Sequence, residues 1–334
     1  MTDIAVLGAG SFGTCLAMLC AGRHDVTLWA RDPAMARSIQ EDRRNPRYLT
    51  SFELPARVRA TSDLADALAG RSIVICAVPS HGVRQVALAA APHLAPGALI
   101  VSTVKGIELD TGSTMHQVLE EATRGAAAAP RIVCLSGPSF AREIAAGKPT
   151  VVTVASRDEA DAKVVQEALS CAALRCYSNS DVVGVELGGA LKNVIAIAVG
   201  ISDGLDAGQN ARAALMTRGL AEITRLGVRL GANPLTFLGL SGVGDLILTC
   251  TGDLSRNRTV GLELGRGRKL SDVLAGMKEV AEGVRTTRAA CALAEKVGVE
   301  LPIAFMVRDV LDEVLAPADA VGRLMTRQLR SEAH

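Results

Sequence analysis

A chain of 334 residues is long enough for two domains and a substantial core. Its 36 basic and 35 acidic side chains leave a formal net charge of +1, and aromatic residues make up only 2%. This balance excludes a whole-molecule field for nucleic acid or an anionic membrane, and the aromatic shortage excludes base-stacking platforms; a small-molecule partner is expected.

The first predicted element is a buried strand, Ile4 to Leu7. Gly8-Ala9-Gly10-Ser11-Phe12-Gly13-Thr14 follows at once, and then a helical run rich in Ala, Leu and Met. In a strand–turn–helix context this G-x-G-x-x-G points to dinucleotide binding, against the plainer reading of a glycine-rich βα turn. Gly8 permits the tight turn, Gly10 lets the backbone approach a pyrophosphate, and Gly13 lets helix and strand pack closely. The helix N-terminus offers free N–H groups and partial positive charge to the phosphates. A second strand, Asp25 to Ala30, runs into Arg31-Asp32. An acidic residue about 20 residues past the glycines would hold the ribose of NAD, whereas Arg would favour the 2′-phosphate of NADP. The two signals conflict, and solvated loop residues are a third reading. The balance leans to NADP with tolerance for NAD.

Further strands are expected at 72–77, 98–102, 132–135 and 150–155, with helical stretches near 33–42, 81–91, 112–123 and 158–171. Continuous β-branched runs between helices indicate a parallel sheet covered on both faces, the pattern of a doubly wound, Rossmann-type α/β domain. From Val182 onward only helical periods remain, for example at 182–201, 209–230, 284–297 and 302–315. The expected organisation is a dinucleotide-binding domain over 1–181 and an all-α substrate and catalytic domain over 182–334, with the substrate in the cleft between them.

Hydrophobic residues reach 49%, so a membrane reading has to be weighed. The most apolar helical stretch, Val194 to Ile201, is flanked by Lys192 and Asp203, short of the roughly 18 apolar residues of a span. Asp3 precedes a strand-like start with no basic n-region, so no signal segment and no membrane insertion are expected. The eight cysteines form no C-x-x-C, and no His stands at zinc-site spacing from a Cys pair. Structural thiols, no metal and a cytoplasmic location follow as expectations.

Several motifs carry chemistry. Lys192 lies in Gly188-Gly189-Ala190-Leu191-Lys192-Asn193, inside a small-residue, apolar helix. Desolvation there lowers a lysine pKa and makes the amine a general base near neutrality; a snorkelling lysine is the competing reading. Lys105 and the run Gly137-Pro138-Ser139-Phe140-Ala141 follow the carboxyl ends of strands, where loops line the crevice of open α/β sheets. Taken singly, each is equally an ordinary βα loop. Gly242-Val243-Gly244-Asp245 stands out in the helical half. Ser255-Arg256-Asn257 offers hydroxyl, guanidinium and amide donors suited to a phosphate, with a simple N-cap by Ser255 as the alternative. Val280-Ala281-Glu282-Gly283 marks a loop-to-helix junction.

Together with Asn45-Pro46-Arg47-Tyr48-Leu49, these motifs in this order resemble the bacterial NAD(P)-dependent glycerol-3-phosphate dehydrogenase family. The resemblance implies reversible, NAD(P)H-dependent reduction of dihydroxyacetone phosphate to sn-glycerol 3-phosphate, feeding glycerophospholipid synthesis. It implies Lys192 as proton acceptor, and Lys105, Gly137, Ser139, Asp245, Ser255, Arg256 and Asn257 as further substrate-binding residues. Ser11, Phe12, Lys105, Ala141, Arg256, Val280 and Glu282 match cofactor contacts, beside Gly8, Gly10, Gly13 and the variable position at Arg31. Phe12 stands where the family usually has Trp, and Thr251-Gly252-Asp253 replaces a Ser-rich stretch, which leaves the contacts just before Ser255 open. A homodimer is expected by analogy. Two other readings are a hydroxy-acid dehydrogenase of the same plan and a non-catalytic NAD(P)H sensor. A sensor needs no set such as Lys105, Lys192, Asp245 and Arg256.

Overall fold

Eight strands form the frame in a computed structural model that describes residues 2–329 and 331. They are β1 (Asp3–Leu7), β2 (Asp25–Trp29), β3 (Val58–Thr61), β4 (Ile73–Cys76), β5 (Leu99–Ser102), β6 (Arg131–Ser136), β7 (Thr150–Ala155) and β8 (Leu174–Asn179). The order is β3-β2-β1-β4-β5-β6-β7-β8, the doubly wound order through β6 with two strands added at one edge. Strands β1 to β6 pair in parallel; Ile4 lies opposite both Val26 and Ile73. The expectation of a parallel sheet meets one departure, because β7 runs antiparallel to β6. The short helix Ala141–Ala145 and a left-handed turn at Gly147 return the chain beside β6 instead of crossing over it.

Alternating side chains feed two cores, one on each face. Ile4 and Val6 join Leu16, Leu28 and Ile75, whereas Ala5 and Leu7 join Val74, Ile100 and Leu119. The strand order reverses between β1 and β4, so the crevice of this fold opens over their carboxyl ends.

The last strand ends at Asn179, and a 23-residue helix, Val182–Gly204, begins at once. Around it pack the helices Gly208–Arg229, Asp245–Thr251, Arg256–Gly265, Glu282–Val297 and Pro302–Leu311. The crossing with Arg256–Gly265 is made by glycines. A Cβ built on Gly261 would come 2.9 Å from the Gly200 Cα, and one on Gly265 would come 2.9 Å from the Gly204 Cα. No side chain fits between these backbones, and their approach carries Arg256 and Asn257 toward Lys192 and Asn193.

The membrane argument from sequence needs correction. Val182–Gly204 is long and apolar enough to cross a bilayer, because Lys192 and Asp203 lie within the helix and do not end it. Its most apolar window is 94% buried inside the protein, as befits the core helix of a bundle.

Candidate active site

The glycine turn after β1 is built as the sequence predicts. Gly8 has φ +110, and a Cβ there would lie 2.7 Å from the Ala77 carbonyl oxygen, so no other residue fits. A Cβ on Gly10 would meet nothing within 4 Å, which leaves the backbone open to a ligand. Gly13 presses on the Gly8 carbonyl. The helix Ser11–Cys20 has no side-chain cap and no acidic residue in its first turn, so its terminal N–H groups remain available. Asn45 fastens the turn from behind, its amide donating to Ala9 O and Thr14 Oγ1, both at 2.9 Å. This cradle fits a pyrophosphate. Phe12 is half-buried against the core on that face.

At the end of β2, Asp32 caps the next helix by accepting the Ala34 N–H at 3.0 Å, with Arg47 3.9 Å away. Arg31 is exposed and has no partner among the described residues.

Two lysines meet on one carboxylate. Lys105, in the loop after β5, donates to Asp245 Oδ2 at 2.7 Å and to Gly137 O at 3.0 Å. Lys192, mid-way along the core helix, donates to Asp245 Oδ1 and, at 2.7 Å, to Thr249 Oγ1. Asp245 is wholly buried at the start of the helix Asp245–Thr251, entered through a wide π-type turn at Leu240–Gly244. Desolvation pulls the Lys192 pKa from its ordinary 10.5 down to about 7. The Asp245 charge opposes that fall, and the Lys105 charge adds to it. Sequence reasoning left open whether Asp245 orients Lys192 or the substrate; it bridges both lysines. Gly137, at φ +136, sits tight on Val152, and Ser139 donates to its carbonyl at 2.9 Å.

The proposed phosphate anchor is partly engaged already. Ser255 is buried and caps its helix through the Arg258 N–H at 3.2 Å, so the plainer N-cap reading holds for its oxygen. Asn257 donates to Asn193 Oδ1 and accepts the Gly283 N–H, both at 2.9 Å. Arg256 is half-exposed and bonds Val280 O at 2.8 Å and Glu279 Oε2 at 3.1 Å. Ala141 opens the short helix after Ser139, and Glu282 reaches across to the Ser80 N–H at 3.0 Å. Among the described residues no group of His, Cys, Asp and Glu is placed to hold a metal.

Sequence reasoning missed Thr249, Asn193, Ser80 and Glu279. Thr249 was findable, since it stands one helical turn after Asp245 on the same face. Ser80 and Glu279 carry no local signal. A separate cavity of about 490 Å³ opens at the amino ends of the strands, beside Arg23, His24 and Arg131. Carbonyl groups and Asp161 hold both of its guanidinium groups, so it offers no unpaired cation.

Comparison with known proteins gives concordant results. Residues 3–162 match the model of the NAD-dependent glycerol-3-phosphate dehydrogenase N-terminus, and residues 181–322 that of its C-terminus. A glycerol-3-phosphate dehydrogenase [NAD(P)+] of Syntrophotalea carbinolica is 54% identical over 331 residues, covering 99% of both chains. One from Myxococcus xanthus is 53% identical over 98% of both. A glycerol-3-phosphate dehydrogenase from Coxiella burnetii, solved by crystallography, superposes with a TM-score of 0.93 at 39% identity, covering 98% of this chain and 99% of that one. A ketopantoate reductase from Ralstonia eutropha, at 17% identity and a TM-score of 0.59, shares the fold alone.

Proposed function

The chain belongs to the NAD-dependent glycerol-3-phosphate dehydrogenase family, and from that premise we propose that it interconverts dihydroxyacetone phosphate and sn-glycerol 3-phosphate with NAD(P)H. The observation that carries the mechanism is the buried Lys192 amine, held by Asp245 and Thr249 and brought to a near-neutral pKa of about 7. A group so poised can hold a proton or release it.

The bound nicotinamide supplies the hydride. Lys192 takes the proton of the C2 hydroxyl in oxidation and returns one in reduction. Lys105 lends positive charge to the C2 oxygen as it becomes alkoxide-like. Asp245 holds both Nζ atoms in place, and Thr249 fixes the second direction at Lys192. Arg256, assisted by the remaining donors of Ser255 and Asn257, anchors the substrate phosphate and orients the reacting carbon. Gly137 and Ser139 line the floor beside Lys105.

The first strand's glycine turn, with Ser11, Phe12 and Ala141, receives the dinucleotide, and Val280 and Glu282 close its far side. The free guanidinium of Arg31, next to an Asp32 already engaged as a cap, favours NADP over NAD. The same proposal divides the chain at 181/182 and places a homodimer in the cytoplasm, a setting that suits its free, mostly buried thiols. It includes no nucleic acid and no bilayer insertion, and its product would feed glycerophospholipid synthesis.

The test follows nicotinamide absorbance with dihydroxyacetone phosphate and each reduced cofactor separately. Oxidation of the cofactor that disappears with unphosphorylated dihydroxyacetone is the expected result. Activity on a hydroxy or keto acid in its place, or cofactor binding without turnover, would overturn the proposal. Arg31→Ala should erode the preference for NADPH over NADH, measured as the ratio of kcat/KM values.

A further inference from the structure

Two carboxylates of one segment stand on the two lips of the dinucleotide crevice. The segment 276–283 runs from the end of the helix Leu270–Ala275 into the helix Glu282–Val297. Glu279 accepts the Ser11 hydroxyl just after β1, and Glu282 accepts the Ser80 N–H at 3.0 Å, with its hydroxyl, just after β4. β1 and β4 are the neighbours between which the strand order reverses.

Glu279 does more than tie the segment down. Its other oxygen lies 3.1 Å from Arg256 Nη1, and its side chain is 30% exposed. The Ser11 hydroxyl belongs to the first residue of a ten-residue helix that has no side-chain cap, where partial positive charge attracts an anion. One carboxylate therefore bridges a helix N-terminus and a guanidinium, the two groups assigned above to the phosphates of cofactor and substrate.

We propose that Glu279 is a built-in competitor: its carboxylate stands in for a ligand phosphate between Ser11 and Arg256, and nucleotide and substrate bind by displacing it. The inference rests on the reading of Ser11 and Arg256 as anion-binding groups. Displacement frees the Arg256 fork for the incoming phosphate and turns the carboxylate away from like charge. Glu282 keeps the segment attached at Ser80 meanwhile, so the change is confined to the Glu279 side chain while Val280 stays beside the dinucleotide. The charge of Glu279 thus sets how tightly both ligands bind.

The test measures NADPH affinity by nicotinamide fluorescence, and KM for dihydroxyacetone phosphate, in the wild type, Glu279→Gln and Glu279→Ala. Because a half-exposed ion pair is a modest interaction, removing the charge should tighten NADPH and lower KM by about two- to fivefold. The gap between wild type and variants should shrink as salt rises. Unchanged or weaker binding in both variants would overturn the proposal and make Glu279 a strut that holds Arg256 in place. Arg256→Ala separates the two readings. A normal KM in that variant would remove the phosphate anchor, while the sign of the Glu279 effect on NADPH still decides the competitor.

Discussion

Lys192 is buried where its ammonium form loses hydration that Asp245 and Thr249 only partly replace. The charge of Asp245 favours the protonated amine, while desolvation and Lys105 both oppose it. In the proposed role of Lys192, oxidation needs the neutral amine and reduction the ammonium. The rate of glycerol 3-phosphate oxidation should therefore rise with pH through about 7, and that of dihydroxyacetone phosphate reduction should fall through the same region. Asp245→Asn removes the supporting charge, so the inflection should move to lower pH as kcat drops. An inflection that stays in place would show that Asp245 does not act on Lys192. This cluster was only half legible. Lys192 and Lys105 announce themselves by their apolar or strand-end settings, but they lie 53 and 140 residues from Asp245. No local spacing reports such a pairing; it exists because the core helix and the loop after β5 converge on one turn.

The strands buried on both faces were the readable ones. β1, β4 and β5 are wholly or almost wholly buried apolar runs, and the sequence shows them as such. β3 and β8 escaped. β3 is Val-Arg-Ala-Thr with only Val58 buried, and β8 alternates Leu174 and Cys176 with exposed Arg175 and Tyr177. Both are outermost in the sheet, where one edge and much of a face meet solvent, so neither shows the continuous apolar run used to find the others. The start of the helix Arg256–Gly265 was legible in Ser255-Arg256-Asn257, but its extent was harder to see, since its contact face is glycine in place of large apolar side chains. Its packing makes a sharp prediction. Gly261→Ala puts a methyl group against Gly200 Cα and Ile201 N, and should destabilise by about 1–3 kcal/mol through overpacking. Thermal unfolding should show a fall of several degrees, with a raised KM for dihydroxyacetone phosphate as Arg256 shifts.

At the scale of the whole molecule, two buried carboxyls away from the chemistry tie distant elements together. Glu186, on the core helix, accepts the His116 N–H at 2.7 Å, and Glu222 accepts the Ile303 N–H at 2.8 Å at the start of another helix. Burial raises each carboxyl to about 7 from an ordinary 4.5. The folded chain therefore holds these protons more tightly than the unfolded one. The stability they contribute is complete below pH about 4.5 and is lost as pH rises through about 7. Lys192 acts in a different window, where its depressed pKa makes stability rise between pH about 7 and 10.5. Glu186→Gln with Glu222→Gln should flatten the decline in Tm between about pH 5 and pH 8, and an unaltered decline would place its origin elsewhere. In the proposed reaction this fold serves to exchange one proton at the C2 oxygen while hydride moves at C2, so the most direct test is turnover by Lys192→Ala. Nicotinamide absorbance should show dihydroxyacetone phosphate reduction falling by about a hundredfold to ten-thousandfold, with NADPH affinity nearly intact. Turnover near that of the wild type would take Lys192 out of the chemistry and contradict the account.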